Sequence, residues 1–180
     1  MEQHIADLLA HPKVLETRGH MHHRIAKHDH LLRSVRYSSR FARLLRADER
    51  VCVRAAVIHD IDSRLGTLTT HGAVAAAWAA GQGEPHEVCA AIVSHMYPLG
   101  PAPTSREGWV LVLADKAASL GDFTQYLRGL IDGTSQANRR RLQQSDPFYR
   151  SRPRRRVQLR QRLLGNLLLR RRLIRPRAGR

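Results

Sequence analysis

The sequence predicts an all-α fold. Apolar residues recur at helical spacing along residues 28–46, and similar spacing returns in the later apolar segments. Alternating apolar and polar residues, which indicate strands, and Asn-Gly turns, which indicate hairpins, are absent from the sequence. Glycine and proline fall between the apolar segments, where they favour loops.

Each later helix begins with a recognisable start signal. Asp48 can cap a helix through VCVRAAVIHD, and Thr70 can cap one over HGAVAAAWAA. Pro85 suits the first turn of PHEVCAAIVSHM. Thr104 or Ser105 can cap a last helix through EGWVLVLADKAASL. These signals predict a helical domain that ends near residue 136.

Charge divides the chain into a domain of residues 1–136 and an Arg-rich tail of residues 137–180. Sixteen arginines and one acid after residue 138 carry +15 of the total charge of +16. We expect residues 139–156 to be a disordered, solvated tail. The leucines of residues 157–174 favour a partial helix that docks on the domain or on a second subunit. Charge alone also predicts an anionic partner, either nucleic acid or acidic lipid.

Cysteine usage and the N-terminus favour the cytoplasm. Cys52 and Cys89 stand far apart within apolar segments, as small core residues do. The first residues lack the basic flank and long apolar stretch of a signal peptide. No segment is apolar over the ~18 residues that a transmembrane helix needs.

Ionisable residues stand inside the apolar helices. His59 and Asp60 follow AAVI, His95 ends AAIVS, and Asp115 lies in WVLVLADKAASL. A charged group buried alone costs several kcal/mol, so such groups are expected to meet one another or a cation. Two further helices supply more nitrogen donors, His30 and His71.

This donor set predicts the class of metal. Four imidazoles and two carboxylates, with no thiolate, suit Fe, Mn, Co or Zn, and the carboxylates also tolerate Mg. Taken one at a time, each residue outside the His59–Asp60 pair is more simply a hydrogen-bonded core residue. His20, His22 and His28 are expected to be exposed.

The order of the donors resembles the HD-domain superfamily of metal-dependent phosphohydrolases. The matching segments are KHDHLLRSV, RAAVIHDID, THGAV, AAIVSHMYPL and VLVLADKAAS, which span roughly residues 20–120. They are most similar to small bacterial HD hydrolases with HG, HMxPL and DK segments. The ligand order also looks like that of HD-type diadenosine tetraphosphate hydrolases. The resemblance implies an HD-domain helical bundle with a basic C-terminal extension.

The resemblance also implies one or two divalent ions and assigns their ligands. His30, His59, Asp60 and Asp115 would hold the first ion, while His71 and His95 would add a second, with Asp60 as the bridge. Asp60, His71 and His95 would then be the catalytic group. The implied reaction is hydrolysis of a phosphate ester or anhydride, such as that of a nucleotide, by water that the metal activates.

Two positions depart from the family pattern. Some relatives carry a further histidine at the position of Ala75, and many carry lysine at the position of Ser63. These departures bear on the second ion and on the phosphate contacts rather than on the first ion, and a solvated surface charge is the alternative for each cation named next. The candidates for substrate binding are Arg33, which shares a helix face with His30, together with Arg64 and Lys116.

Two other functions remain open at this stage. Some HD-fold proteins with the same ligand order resemble di-iron oxygenases. The chain could instead be a non-catalytic HD scaffold that binds a nucleotide and uses its tail to bind an anionic partner. The sequence leaves the oligomeric state undetermined.

Overall fold

A computed structural model describes residues 1–22 and 24–148 of the chain. The helices are α1 (Ala6–Ala10), α2 (Pro12–Glu16), α3 (Lys27–Leu45), α4 (Glu49–Ile58), α5 (His71–Gly81), α6 (His86–Ser94), α7 (Arg106–Ile131) and α8 (Thr134–Ser145). Two short strands, β1 (Met21–His22) and β2 (Ile25–Ala26), form an antiparallel hairpin. The predicted all-α fold is confirmed. The sequence pattern did not indicate this hairpin, nor the helices α1, α2 and α8.

The core lies where α3, α4, α6 and α7 meet. Helix α3 packs against both α4 and α7, and α6 packs against α4, α5 and α7. Leu31, Ile58, Ile92 and Leu111 are each at most 1% exposed and join these helices in one cluster. The ionisable residues of the apolar segments therefore sit beside this core.

The helix starts follow the sequence signals in part. Asp48 caps α4, since its side chain accepts from the backbone N–H groups of Arg50 and Val51. Ser105, rather than Thr104, caps α7 by accepting from the N–H of Gly108 at 3.1 Å. Thr70 precedes α5 but makes no capping bond there. Helix α7 continues beyond the predicted segment to Ile131.

The predicted domain boundary at residue 136 lies inside α8. This helix packs against α7 and the hairpin. Leu142 near its end is 1% exposed, and Asp146 just after it is fully buried. Residues 149–180, including the leucines of the predicted tail helix, lie outside the described residues. Within residues 1–22 and 24–148, no helix combines the length and apolar character that a bilayer crossing requires.

Candidate metal centre

Six predicted ligands come together beside the core from five helices. They are His30 on α3, His59 and Asp60 after α4, His71 at the start of α5, His95 after α6 and Asp115 on α7. Five of them are buried, and the side chain of Asp115 is 15% exposed. The helices thus deliver polar groups into an apolar interior from several directions.

His30, His59 and Asp115 form one cluster. The Nε2 atoms of His30 and His59 lie 3.3 Å apart. Asp115 Oδ1 lies 3.1 Å from His30 Nε2 and 3.6 Å from His59 Nε2. Three donor atoms from three helices therefore surround one point.

His71, His95 and Asp60 form a neighbouring cluster. The Nε2 atoms of His71 and His95 lie 3.0 Å apart, and His71 Nε2 lies 3.4 Å from Asp60 Oδ1. The rings of His59 and His95 are 5.0 Å apart between centroids, so the two clusters are adjacent. Donor atoms of His59, Asp60 and His95 also lie within 4.8 Å of one another.

Hydrogen bonds at the opposite ring nitrogen fix how these histidines face the clusters. The Nδ1–H groups donate to nearby backbone carbonyls: His59 to Ala56 at 2.9 Å, His71 to Thr67 at 2.9 Å, and His95 to Ile92 at 2.7 Å. A carbonyl oxygen can only accept, so Nδ1 carries the hydrogen in each ring. In the neutral ring, Nε2 then carries no hydrogen, and its lone pair is available to bind a cation.

A buried carboxylate orients the fourth ring. His30 Nδ1 lies 2.6 Å from Asp122 Oδ2, and Arg33 donates to the other oxygen of Asp122. Asp122 is fully buried. Gly121 allows this arrangement, because a Cβ there would lie 2.7 Å from Arg33 Cδ. The carboxylate–histidine pair is the usual support of a metal-binding imidazole.

This arrangement fits a divalent ion. Two ligands of one ion, each with a bond of ~2.1 Å, lie roughly 3.0–3.4 Å apart at octahedral or tetrahedral angles. The separations of 3.0 to 3.6 Å within the clusters match that spacing. Facing lone pairs on neighbouring Nε2 atoms repel one another unless a cation lies between them. The residues therefore fit the metal that the donor set implies.

The two carboxylate oxygens of Asp60 face different partners. Oδ1 faces His71, and Oδ2 lies 3.1 Å from His22 Nδ1. Within the described part of the chain, Oδ2 is buried and makes no hydrogen bond. Burial raises the pKa of Asp60, but the electrostatic influence of the neighbouring His59, His22 and Lys27 outweighs it and holds the pKa below the ordinary value. The carboxyl group is thus ionised and able to bind cations.

Two further residues of the clusters, His95 and Asp115, also have strongly shifted pKa values. It lowers the pKa of His95 to about 4, so this imidazole stays neutral in mildly acidic solution. Burial raises the pKa of Asp115, but its close contacts with the ring nitrogens of His30 and His59 more than offset it and hold that pKa well below its usual range. Both groups are in the protonation state that a metal ligand requires.

The family comparison agrees with this geometry. The model of the HD domain family matches residues 28–120, which hold all six residues. The chain belongs to the HD domain family. HD domains bind divalent metals and are in general metal-dependent phosphohydrolases, although some members are non-catalytic. No curated protein and no solved structure matches the chain.

A lysine from another helix reaches the turn at which this HD domain lacks the lysine of many relatives. Ser63 stands where many HD proteins carry lysine, yet Lys27 Nζ lies 2.7 Å from Ser63 Oγ and 3.0 Å from the carbonyl of Asp60. Burial lowers the pKa of Lys27. The cation therefore reaches this turn from α3, which the spacing around Asp60 could not indicate.

The three cations predicted to bind substrate occupy different environments. Arg33 is held by Asp122 and Gln125, and Arg64 is paired with Asp146 and stacked on a ring. Lys116 is exposed. Arg33 thus links α3 to α7, and Arg64 links the segment after α4 to the end of α8.

Three functional contacts were missed by the sequence interpretation. His22 was expected to be exposed, but its side chain is only 19% exposed and faces Asp60. Asp122 lies two helical turns after Asp115, a spacing that could have indicated it. Lys27 stands beside the metal site without a local pattern. His28 was also expected to be exposed and is buried.

Proposed function

We propose that this HD domain is a metal-dependent phosphohydrolase that acts on a phosphate ester or anhydride, such as that of a nucleotide. The convergence of unprotonated Nε2 atoms on two adjacent points supports the proposal best. The facing Nε2 lone pairs repel one another, and a bound cation would offset that repulsion, which supports a metal site. Asp60 as the carboxylate between the clusters supports a pair of ions.

We assign the ligands as the clusters group them. His30, His59 and Asp115 would hold one ion and His71 with His95 a second, while Asp60 would be shared. Bound divalent ions supply an activated water and offset charge on phosphoryl oxygens. The partly exposed side of Asp115 is where a phosphate can enter.

For the substrate contact we favour Lys116 among the three predicted cations. It is exposed and follows Asp115 directly in α7. Arg33 is already held by Asp122 and Gln125, which limits how it can turn towards a phosphate. Arg64 is likewise held by Asp146. Lys116→Ala should therefore raise the KM more than it lowers metal affinity.

The test uses metal-free full-length protein reloaded with Mn²⁺, Co²⁺, Zn²⁺ or Fe²⁺. The loaded protein is incubated with nucleotides, dinucleotide polyphosphates and simple phosphate esters, and released phosphate or nucleotide is measured. Asp60→Ala should abolish turnover and most metal binding, whereas His86→Ala, at an exposed histidine, should change neither.

The same assay contains the outcomes that would overturn the proposal. Metal binding without any phosphate or nucleotide release would show that the chain is not a phosphohydrolase. Oxygen consumption by the iron-loaded protein would then identify an oxygenase. Tight nucleotide binding without turnover would identify a scaffold.

A further inference from the structure

The hairpin formed by β1 and β2 carries a histidine into the metal centre. His22 lies on β1, opposite Ile25 on β2. Its ring lies 4.4 Å from the ring of His30 between centroids, and its Nδ1 lies 3.1 Å from Asp60 Oδ2. His22 therefore contacts two of the residues that we assign to the metal.

The contact between His22 Nδ1 and Asp60 Oδ2 is close enough for an ion pair, but Oδ2 makes no hydrogen bond within residues 1–22 and 24–148. Asp60 itself is 4% exposed. The separation of 3.1 Å equals that between His30 Nε2 and Asp115 Oδ1 in the first cluster. A buried carboxylate oxygen without a hydrogen bond calls for a further partner, and a cation shared with the facing ring nitrogen would supply it.

The hairpin is held in place by contacts with the end of α8. The N–H of Met21 donates to Asp146 at 2.8 Å, and Arg64 donates to the carbonyl of Met21 at 3.0 Å. Arg64 and Asp146 are paired with each other. Both backbone polar groups of Met21, the residue before His22, are therefore hydrogen-bonded, which gives His22 a defined position.

We infer that His22 is a further metal ligand, which binds through Nδ1 on the Asp60 Oδ2 side of the site. The inference rests on the proposed metal site but names a residue outside the six-ligand pattern. It also makes the C-terminal end of the described chain part of the metal centre, because Asp146 and Arg64 position the strand that carries His22.

A cysteine at this position turns the inference into a spectroscopic signal. A thiolate bound to Co²⁺ gives a charge-transfer absorption in the near ultraviolet, and a coordinated thiol is deprotonated by the metal. We expect His22→Cys to show this band when loaded with Co²⁺. The native protein, which already contains Cys52 and Cys89, and His86→Cys should lack it.

Affinity and position provide two further measurements. His22→Ala should bind Co²⁺ at least about tenfold more weakly than the native protein in a calorimetric titration, and His86→Ala should match the native protein. Anomalous diffraction from cobalt-loaded native crystals should place an ion within ~2.0–2.2 Å of His22 Nδ1. The native measurement holds even if a variant fails to fold.

Failure of this inference is distinguishable from failure of the proposed function. If the native protein binds no divalent metal, both are wrong. If the native protein binds Co²⁺ but the ion lies away from His22, or if folded His22→Cys binds Co²⁺ without the band, only the inference about His22 is overturned.

Discussion

Asp122 offers the sharpest test of how the first cluster is oriented. Its two oxygens are divided between His30 Nδ1 and the guanidinium of Arg33. Asp122→Asn keeps the size of the side chain but removes the charge that holds both partners. The amide has one acceptor oxygen for the two donors, so His30 and Arg33 cannot both keep their hydrogen bonds, and the hold on the His30 ring weakens.

The expected loss follows from the role of such supporting carboxylates. Their removal lowers metal affinity about 10–100-fold, which corresponds to about 1.4–2.8 kcal/mol of binding free energy. The free energy of unfolding should also fall, by about 1–3 kcal/mol, because a buried hydrogen-bonded group loses its charge-assisted partners. The decrease in stability stays moderate because the Arg33 side chain is 23% exposed and water can replace part of the contact.

Calorimetric titration of Co²⁺ into metal-free protein measures the first quantity, and urea denaturation measures the second. Gln125→Ala is the matched control, because Gln125 also contacts Arg33 but does not touch His30. We expect that control to bind metal as the native protein does. Metal affinity of Asp122→Asn within twofold of native would refute the argument that Asp122 aims His30.

Four other predictions concern the packing of the helical domain. Burial lowers the pKa of His95 from 6.5 to about 4 in the folded, metal-free protein. Between pH 6.5 and 4, only the unfolded chain protonates this imidazole. The free energy of unfolding should therefore fall as the pH is lowered through this range, by about 1.4 kcal/mol per pH unit from this residue. Urea denaturation of His95→Gln should show a shallower pH dependence, and an unchanged one would contradict the assignment. Gly72→Ala should destabilise the protein by about 1–3 kcal/mol, because its Cβ would lie 2.9 Å from a carbonyl of α6; Gly81→Ala, in open space on the same helix, should not lower the melting temperature. Burial raises the pKa of Cys52 to about 12, so this thiol should react with alkylating reagents at pH 8 only after unfolding. Rapid labelling of Cys52 itself in the native protein, located by peptide mapping, would count against its burial. A chain that ends at residue 138 should melt below one that ends at 148, since only the latter keeps the buried end of α8; equal melting would show that α8 adds no stability.

Much of the fold was accessible from the sequence because its signals are local. The spacing of apolar residues and the cap at Asp48 depend on neighbours within one helix. The same is true of His59 and Asp60, whose place after an apolar segment already indicated a buried site. The family resemblance added the order of the remaining donors, which spacing alone left open.

The contacts that the sequence interpretation missed are long-range. His30 meets Asp122 across 92 positions, and Met21 meets Asp146 across 125. The spacing within α7 could place Asp122 on the same helix face as Asp115, but it could not report its partner His30. Both pairs depend on how α3 docks on α7 and how α8 returns to the hairpin. The change of composition near residue 136 marked the onset of the arginines, and α8 runs across it.

The hydrogen bonds of the histidine Nδ1 atoms bear on when each ligand becomes correctly aimed during folding. His59, His71 and His95 each donate to a carbonyl three or four positions earlier, within the same turn. Such a ring takes its orientation as soon as that turn forms, so part of its rotamer entropy is lost before the helices assemble. His30 acquires its orientation only when α3 and α7 come together. The orientation of this ring is therefore a product of helix docking, whereas the other three rings are aimed by their own turns.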